Sequence, residues 1–118
     1  SILPPDINKS QAGFSVEGKA VRVGLLKIKG MGPKQLNGIL KMRENGGPFL
    51  SLHDFCARGA SLRITRNVIE NLIKVGAFDF TGYPRSVLLN LLPLIIEENK
   101  KERRYVNSYK SANKNQCC

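Results

Sequence analysis

The chain is expected to be mainly α-helical. Apolar residues recur at helical spacing in three stretches, capping residues or prolines stand at the helix starts, and two turns rich in small residues each lead toward a proline. The first turn is Gly30-Met31-Gly32, followed at once by Pro33; the second is Gly76-Ala77-Phe78, with Pro84 further on.

Residues 1–12 contain Pro4 and Pro5 and read as an extended lead-in. Residues 14–16 and 20–23, joined by Glu17-Gly18-Lys19, read as a small β-hairpin. Gly24 ends the second strand, and residues 25–29 are long enough for about one helical turn. A helix over 33–43 follows, with Leu36, Ile39 and Leu40 on one face; Asn45-Gly46-Gly47-Pro48 terminates it. Ser51 and Asp54 make a capping start for a short helix to about residue 58. Thr65 caps the next helix, whose Val68, Ile69, Leu72 and Ile73 form a 3.6-residue stripe ending at Gly76. The helix from Pro84 is apolar almost all round, from Val87 and Leu88 to Ile95 and Ile96, so it should be buried or bound. Pro93 should kink or restart it, since an interior proline costs about 3 kcal/mol. From residue 98 onward the composition turns polar and basic, and residues 98–118 are expected to be a disordered tail. The expected core is Leu25, Ile28, Met31, Leu36, Ile39, Leu40, Phe55, Ile69, Leu72, Ile73, Phe78, Leu88 and Leu92.

The order helix, hairpin, helix occurs twice, over about 24–44 and 65–97. Residues 13–97 therefore read as one tandem helix-hairpin-helix domain, whose two copies would bury each other's apolar faces and set both turns on one side. In the first copy, Gly30 and Gly32 let the chain pass through positive φ while Met31 plugs the space between helices. Pro33 suits the first helical position, where its missing N–H has no partner in any case. The free N–H groups of the first turn and the helix dipole then make an anion site, with Lys29 and Lys34 at its rim. An ordinary tight turn before a helix would show the same residues. The second copy has a single glycine, a longer connection, and Asp79 where a phosphate would be repelled. It touches DNA through Gly76 and Arg85, or it is structural.

The 118 residues carry a formal charge of +10, with 13 basic and 7 acidic side chains in residues 1–97 and 6 and 2 in residues 98–118. Such an excess favours a polyanionic partner over an acidic-substrate pocket, although it also serves solubility. No apolar run reaches the roughly 20 residues of a membrane span; the longest, 87–96, is broken by Asn90 and Pro93. Cys56 lies in an apolar helical context and reads as a buried small hydrophobe, while Cys117 and Cys118 are adjacent and lack the spacing of a metal or redox site. His53 has no companion ligands, so no metal and no cofactor are expected, in a reducing intracellular compartment. The start at Ser1 and the extended Leu3-Pro4-Pro5-Asp6 suggest a piece of a longer protein.

These residues resemble the alpha subunits of bacterial DNA polymerase III, the C-family replicative polymerases. The resemblance is carried by residues 3–8 (Leu-Pro-Pro-Asp-Ile-Asn), 21–25 running into 28–32, 47–52 with 54–56, and 69–79 with Arg85 beyond, all in the family's order. It implies the tandem helix-hairpin-helix region, which in that family contacts the duplex leaving the active site and lies in the part that docks on the sliding clamp. It implies further that Gly30, Gly32 and Lys34 contact phosphates, with Lys29 a candidate, and that catalytic carboxylates lie elsewhere in the parent. The parent would be a DNA-directed DNA polymerase, cytoplasmic and nucleoid-associated. Asp6, Asp54 and Asp79 are isolated and show no metal-site spacing. Gln35-Leu36 begins like the family's clamp-binding peptide but lacks its terminal aromatic, and is read as core.

The leading expectation is thus a non-catalytic module that binds the double-stranded DNA backbone without regard to sequence, within a polymerase whose other domains are its partners. The alternative is an interaction scaffold that docks polymerase domains or a replication partner through 87–96. A glycosylase of the helix-hairpin-helix type would need a catalytic Asp and a base pocket in a larger helical domain.

Overall fold

The computed structural model describes residues 1–116, so Cys117 and Cys118 lie outside the described residues. Three short strands, β1 (Ile2–Leu3), β2 (Ser15–Glu17) and β3 (Ala20–Arg22), precede four helices: α1 (Pro33–Gly46), α2 (Leu52–Arg58), α3 (Arg66–Lys74) and α4 (Arg85–Gln116). Single 3-10 turns occupy Leu25–Lys27, Ala60–Leu62 and Asp79–Thr81.

The hairpin forms where alternation placed it, with Val16 opposite Val21. The lead-in is not a separate extended arm. β1 adds to the sheet parallel to β3, Ile2 against Val21, giving the order β1-β3-β2. Behind it, Ile7 and Ser10 are fully buried. Ser10 Oγ accepts the Asp6 N–H at 2.9 Å and donates to the Val23 carbonyl at 2.7 Å. The Asn8 amide pairs in both directions with the backbone of Phe49, 41 residues away. Two strands of three residues are marginal alone, and these long-range bonds fasten them to the helices.

Helix starts follow the local chemistry. Ser51 Oγ accepts the Asp54 N–H at 2.9 Å, and Thr65 Oγ1 accepts the Val68 N–H at 3.3 Å. At the end of α1, Gly47 takes φ +80° and Arg58 reaches back over the break. Its guanidinium donates to the carbonyls of Met42, Gly47 and Pro48 and lies 4.2 Å from the Phe49 ring centre.

The core holds every residue expected there except Leu40, which is half-buried at its edge. It also takes in Ile7, Phe49, Leu52, Ala77 and Ile95. Phe55 joins its two halves, edge-on to Phe49 at 5.0 Å and to Phe78 at 5.3 Å. Burial pushes the Cys56 thiol up to about 11 from 9.0. A raised folded-state value means that the unfolded chain loses its proton first. The resulting stabilisation is complete below about pH 9 and fades as pH rises toward 11. Denaturant titrations should therefore show a smaller loss of stability over that interval in Cys56→Ala than in the parent; equal losses would place the thiol in water.

α4 departs from expectation twice. Only one face, Leu88, Leu92, Ile95 and Asn99, is buried, against α2 and α3, while Val87, Leu91 and Leu94 are exposed. The helix also passes Pro93 without the kink or restart expected there.

Candidate nucleic-acid interface

The first hairpin is built from short-range bonds. The 3-10 turn closes with the Ile28 N–H on the Leu25 carbonyl, and the Met31 N–H returns to Ile28. Gly30 takes φ +88°, which turns the Met31 side chain into the core. Gly32 does not share that conformation. Its φ is −83° and ψ 158°, extended backbone that any residue adopts, so its value lies in its missing side chain. The Gly32 N–H donates to Gln35 Oε1 at 2.9 Å, and the first helical bond runs from Leu36 N–H to the Gly32 carbonyl. Pro33 has no N–H, so the donors left to an anion are those of Lys34 and Gln35 in the first turn of α1. Lys29, Gly30 and Lys34 are exposed around them, and neither lysine forms an ion pair among the described residues.

The hairpin leans on α3. Asn71 Nδ2 donates to the Lys29 carbonyl at 3.0 Å, and a Cβ on Gly30 would stand 3.0 Å from Val68 Cγ2. Gln35 Nε2 reaches the Arg63 carbonyl at 3.3 Å. That bond brings the first turn of α1 close to the connection that leads into α3. A hollow of about 350 Å³ between the first hairpin and the start of α3 is lined by Lys29, Gly30, Thr65, Asn67, Val68 and Asn71. Arg63 and Arg66 stand exposed beside it, Arg66 sharing its charge with Glu70 at 2.9 Å. Sequence reasoning missed Arg63, Asn67 and Asn71, for which the Thr65 cap was the only local signal.

The second hairpin is organised differently. Gly76 takes φ +98° and is buried, and a Cβ there would come within 2.6 Å of Arg85 Nη2. Arg85 grips the Asp79 carboxylate with two bonds, 3.0 and 2.7 Å, and donates a third to the Lys74 carbonyl at 3.0 Å. The Ala77 carbonyl accepts the Ile7 N–H at 3.1 Å. Asp79 is thus occupied with Arg85, whose hydrogen bonds hold its carboxyl below the usual carboxylate range. The stabilisation it lends is present above pH 3.8 and is lost as acid protonates the folded carboxylate. Three of the Arg85 N–H donors are thus engaged within this hairpin.

The other two aspartates are likewise engaged. Asp6 Oδ1 accepts the Asn8 N–H, and Asp54 accepts from Leu50 and Arg58. No group of three metal-ligating side chains occurs among the described residues, and no described helix is long and apolar enough to cross a membrane.

A family model described as a helix-hairpin-helix motif matches residues 1–88. The chain is similar to the DNA polymerase III subunit alpha of Aquifex aeolicus, 45% identical over 89 residues, which is 75% of this chain and 8% of that protein. It is 43% identical over 90 residues to that of Deinococcus radiodurans, 76% of this chain and 7% of the relative. With the Escherichia coli (strain K12) subunit it shares 43% over 93 residues, 77% of this chain and 8% of the relative. The chain thus spans less than a tenth of the length of these relatives.

Proposed function

The chain belongs to the helix-hairpin-helix family, and from that premise we propose that it is a non-catalytic module of a DNA polymerase III alpha subunit that holds double-stranded DNA by its phosphates, indifferent to sequence. The observation that supports this most is the first hairpin seated against α3, with Lys29 and Lys34 exposed and in no ion pair among the described residues. Backbone N–H groups and lysines recognise phosphate charge and geometry, which every base pair presents alike. One phosphate would sit on the Lys34 and Gln35 N–H groups, Gly32 leaving room for it, and the next in the hollow beside Lys29 and Asn67. Partners are the duplex and the remaining polymerase domains, with any sliding-clamp contact left to neighbouring sequence.

Fluorescence anisotropy with a labelled duplex tests this. Contact with about 3–5 phosphates gives a slope of log affinity against log salt of roughly −3 to −4.5. Lys34→Ala should weaken binding several-fold and bring the slope about one unit nearer zero. Affinity that ignores salt, or differs more than about tenfold among duplexes of equal length, would overturn the reading.

The exposed face of α4 favours a second reading. Val87, Leu91 and Leu94 follow one another at i, i+4 and i+7 and are exposed, Leu94 most of all, so a neighbouring domain of the parent could dock there.

A further inference from the structure

Beside the hairpin surface lies a cavity of about 370 Å³ between α2, the 60–66 connection, α3 and α4. Ile64, Ile69 and Ile96 give it an apolar floor, and Arg63, Arg66 and Lys100 stand at its rim. Asn99 lines it from α4. That side chain is only 8% exposed, yet its amide makes no hydrogen bond among the described residues. Burying an amide without a partner is costly, and no fully enclosed side-chain nitrogen or oxygen among the described residues is left unsatisfied. The Asn99 amide is therefore not fully enclosed, and it lines the cavity with no hydrogen-bond partner among the described residues.

We propose that this cavity binds one unpaired nucleoside monophosphate unit. Its base would lie on the three isoleucines with its edge at the Asn99 amide, and its phosphate among Arg63, Arg66 and Lys100. Ligand pockets run from roughly 300 to 1,000 Å³, and this one is at the lower end, where a single nucleotide belongs. A carboxamide presents a donor and an acceptor side by side, the pattern of a base edge. A bare phosphate has no use for an aliphatic floor, and an acidic peptide with an apolar anchor would leave the amide without a specific role. Ile96, Asn99 and Lys100 lie beyond the residues that match the family model, so that family does not assign this site. The rim also adjoins the proposed phosphate surface, since Gln35 bonds the Arg63 carbonyl.

The unit could be a free nucleotide or the unpaired end of a strand, and two measurements separate these sources. The first titrates the protein with dAMP and follows amide chemical shifts; movement at residues 63–69 and 96–100 is expected, and none in Asn99→Leu. The second compares a blunt duplex with the same duplex carrying a one-nucleotide overhang. Overhang binding should be about tenfold tighter, roughly the worth of withdrawing part of one base face from water onto an aliphatic floor. Asn99→Leu should reduce it to the blunt value and leave blunt binding unchanged. Shifts with dAMP but no overhang preference would support the site and assign it to free nucleotides. An overhang preference that Asn99→Leu removes would assign it to strand ends. If neither response occurs in the parent protein, or if an acidic Phe-containing peptide moves these signals and dAMP does not, the proposal is overturned. The dAMP titration of the parent chain decides even if the variant fails to fold. Failure of the blunt duplex to bind would remove the hairpin reading alone.

Discussion

Gly32→Val should abolish detectable duplex binding in a chain that still folds. The backbone at this position is extended, at φ −83°, so valine fits it without strain. Its Cβ would stand 3.1 Å from Gln35 Oε1 and its methyl groups would occupy the space in front of the α1 N-terminus. Displacing Gln35 removes one cap bond, about 1 kcal/mol, whereas excluding the phosphate removes the anchoring contact. Gly30→Val should behave in the opposite way. At φ +88°, with Val68 3.0 Å from the new Cβ, it places a branched side chain where L-residues are strained by roughly 1–2 kcal/mol, and misdirects Met31. Thermal melts by circular dichroism, beside anisotropy on the same samples, separate the two. A folded Gly32→Val chain that binds as well as the parent would show that the first hairpin is not the phosphate site.

Phe78→Ala is expected to be the most destabilising single change, by about 3–5 kcal/mol, because a fully buried aromatic leaves a cavity its neighbours cannot close. Phe78 closes the second hairpin from inside and meets Phe55 at 5.3 Å, so its loss loosens the α3–α4 joint and the centre of the core together. Urea titration measures this directly. Asp79→Ala, on the same loop, should cost little stability, since it breaks a half-exposed ion pair. It should leave DNA binding unchanged or slightly stronger, by removing negative charge near the duplex. A small effect of Phe78→Ala would mean that the second hairpin does not organise the core.

Much of this was legible from residue order, and the successes share a range. Ser51, Thr65, Pro33 and Gly47 mark helix ends because capping bonds and φ preferences act within four residues. Stripes such as Val68, Ile69, Leu72 and Ile73 disclose the core because one helix face is set by its own period. The candidate site was half legible in the same sense. Lys29, Gly30, Gly32 and Lys34 are contiguous, but the distinction between a glycine needed for its φ and one needed for its missing side chain was not. Nor was the occupation of Arg85 by Asp79, since a charge in a sequence does not disclose its partner.

By itself, the amino-acid sequence determined the helix-hairpin-helix class, the helix starts, most of the core, and a polyanionic partner as the sensible match for +10. Only the tertiary structure decided that β1 joins the sheet and that Asn8 clasps Phe49. It alone set the Lys29 carbonyl on Asn71, 42 residues away, and opened a cavity beside Asn99. The division follows the reach of the forces. Capping and periodicity are local and written in neighbouring residues, whereas pairings across some forty residues exist only after burial has brought the partners together and excluded the water that would otherwise satisfy them.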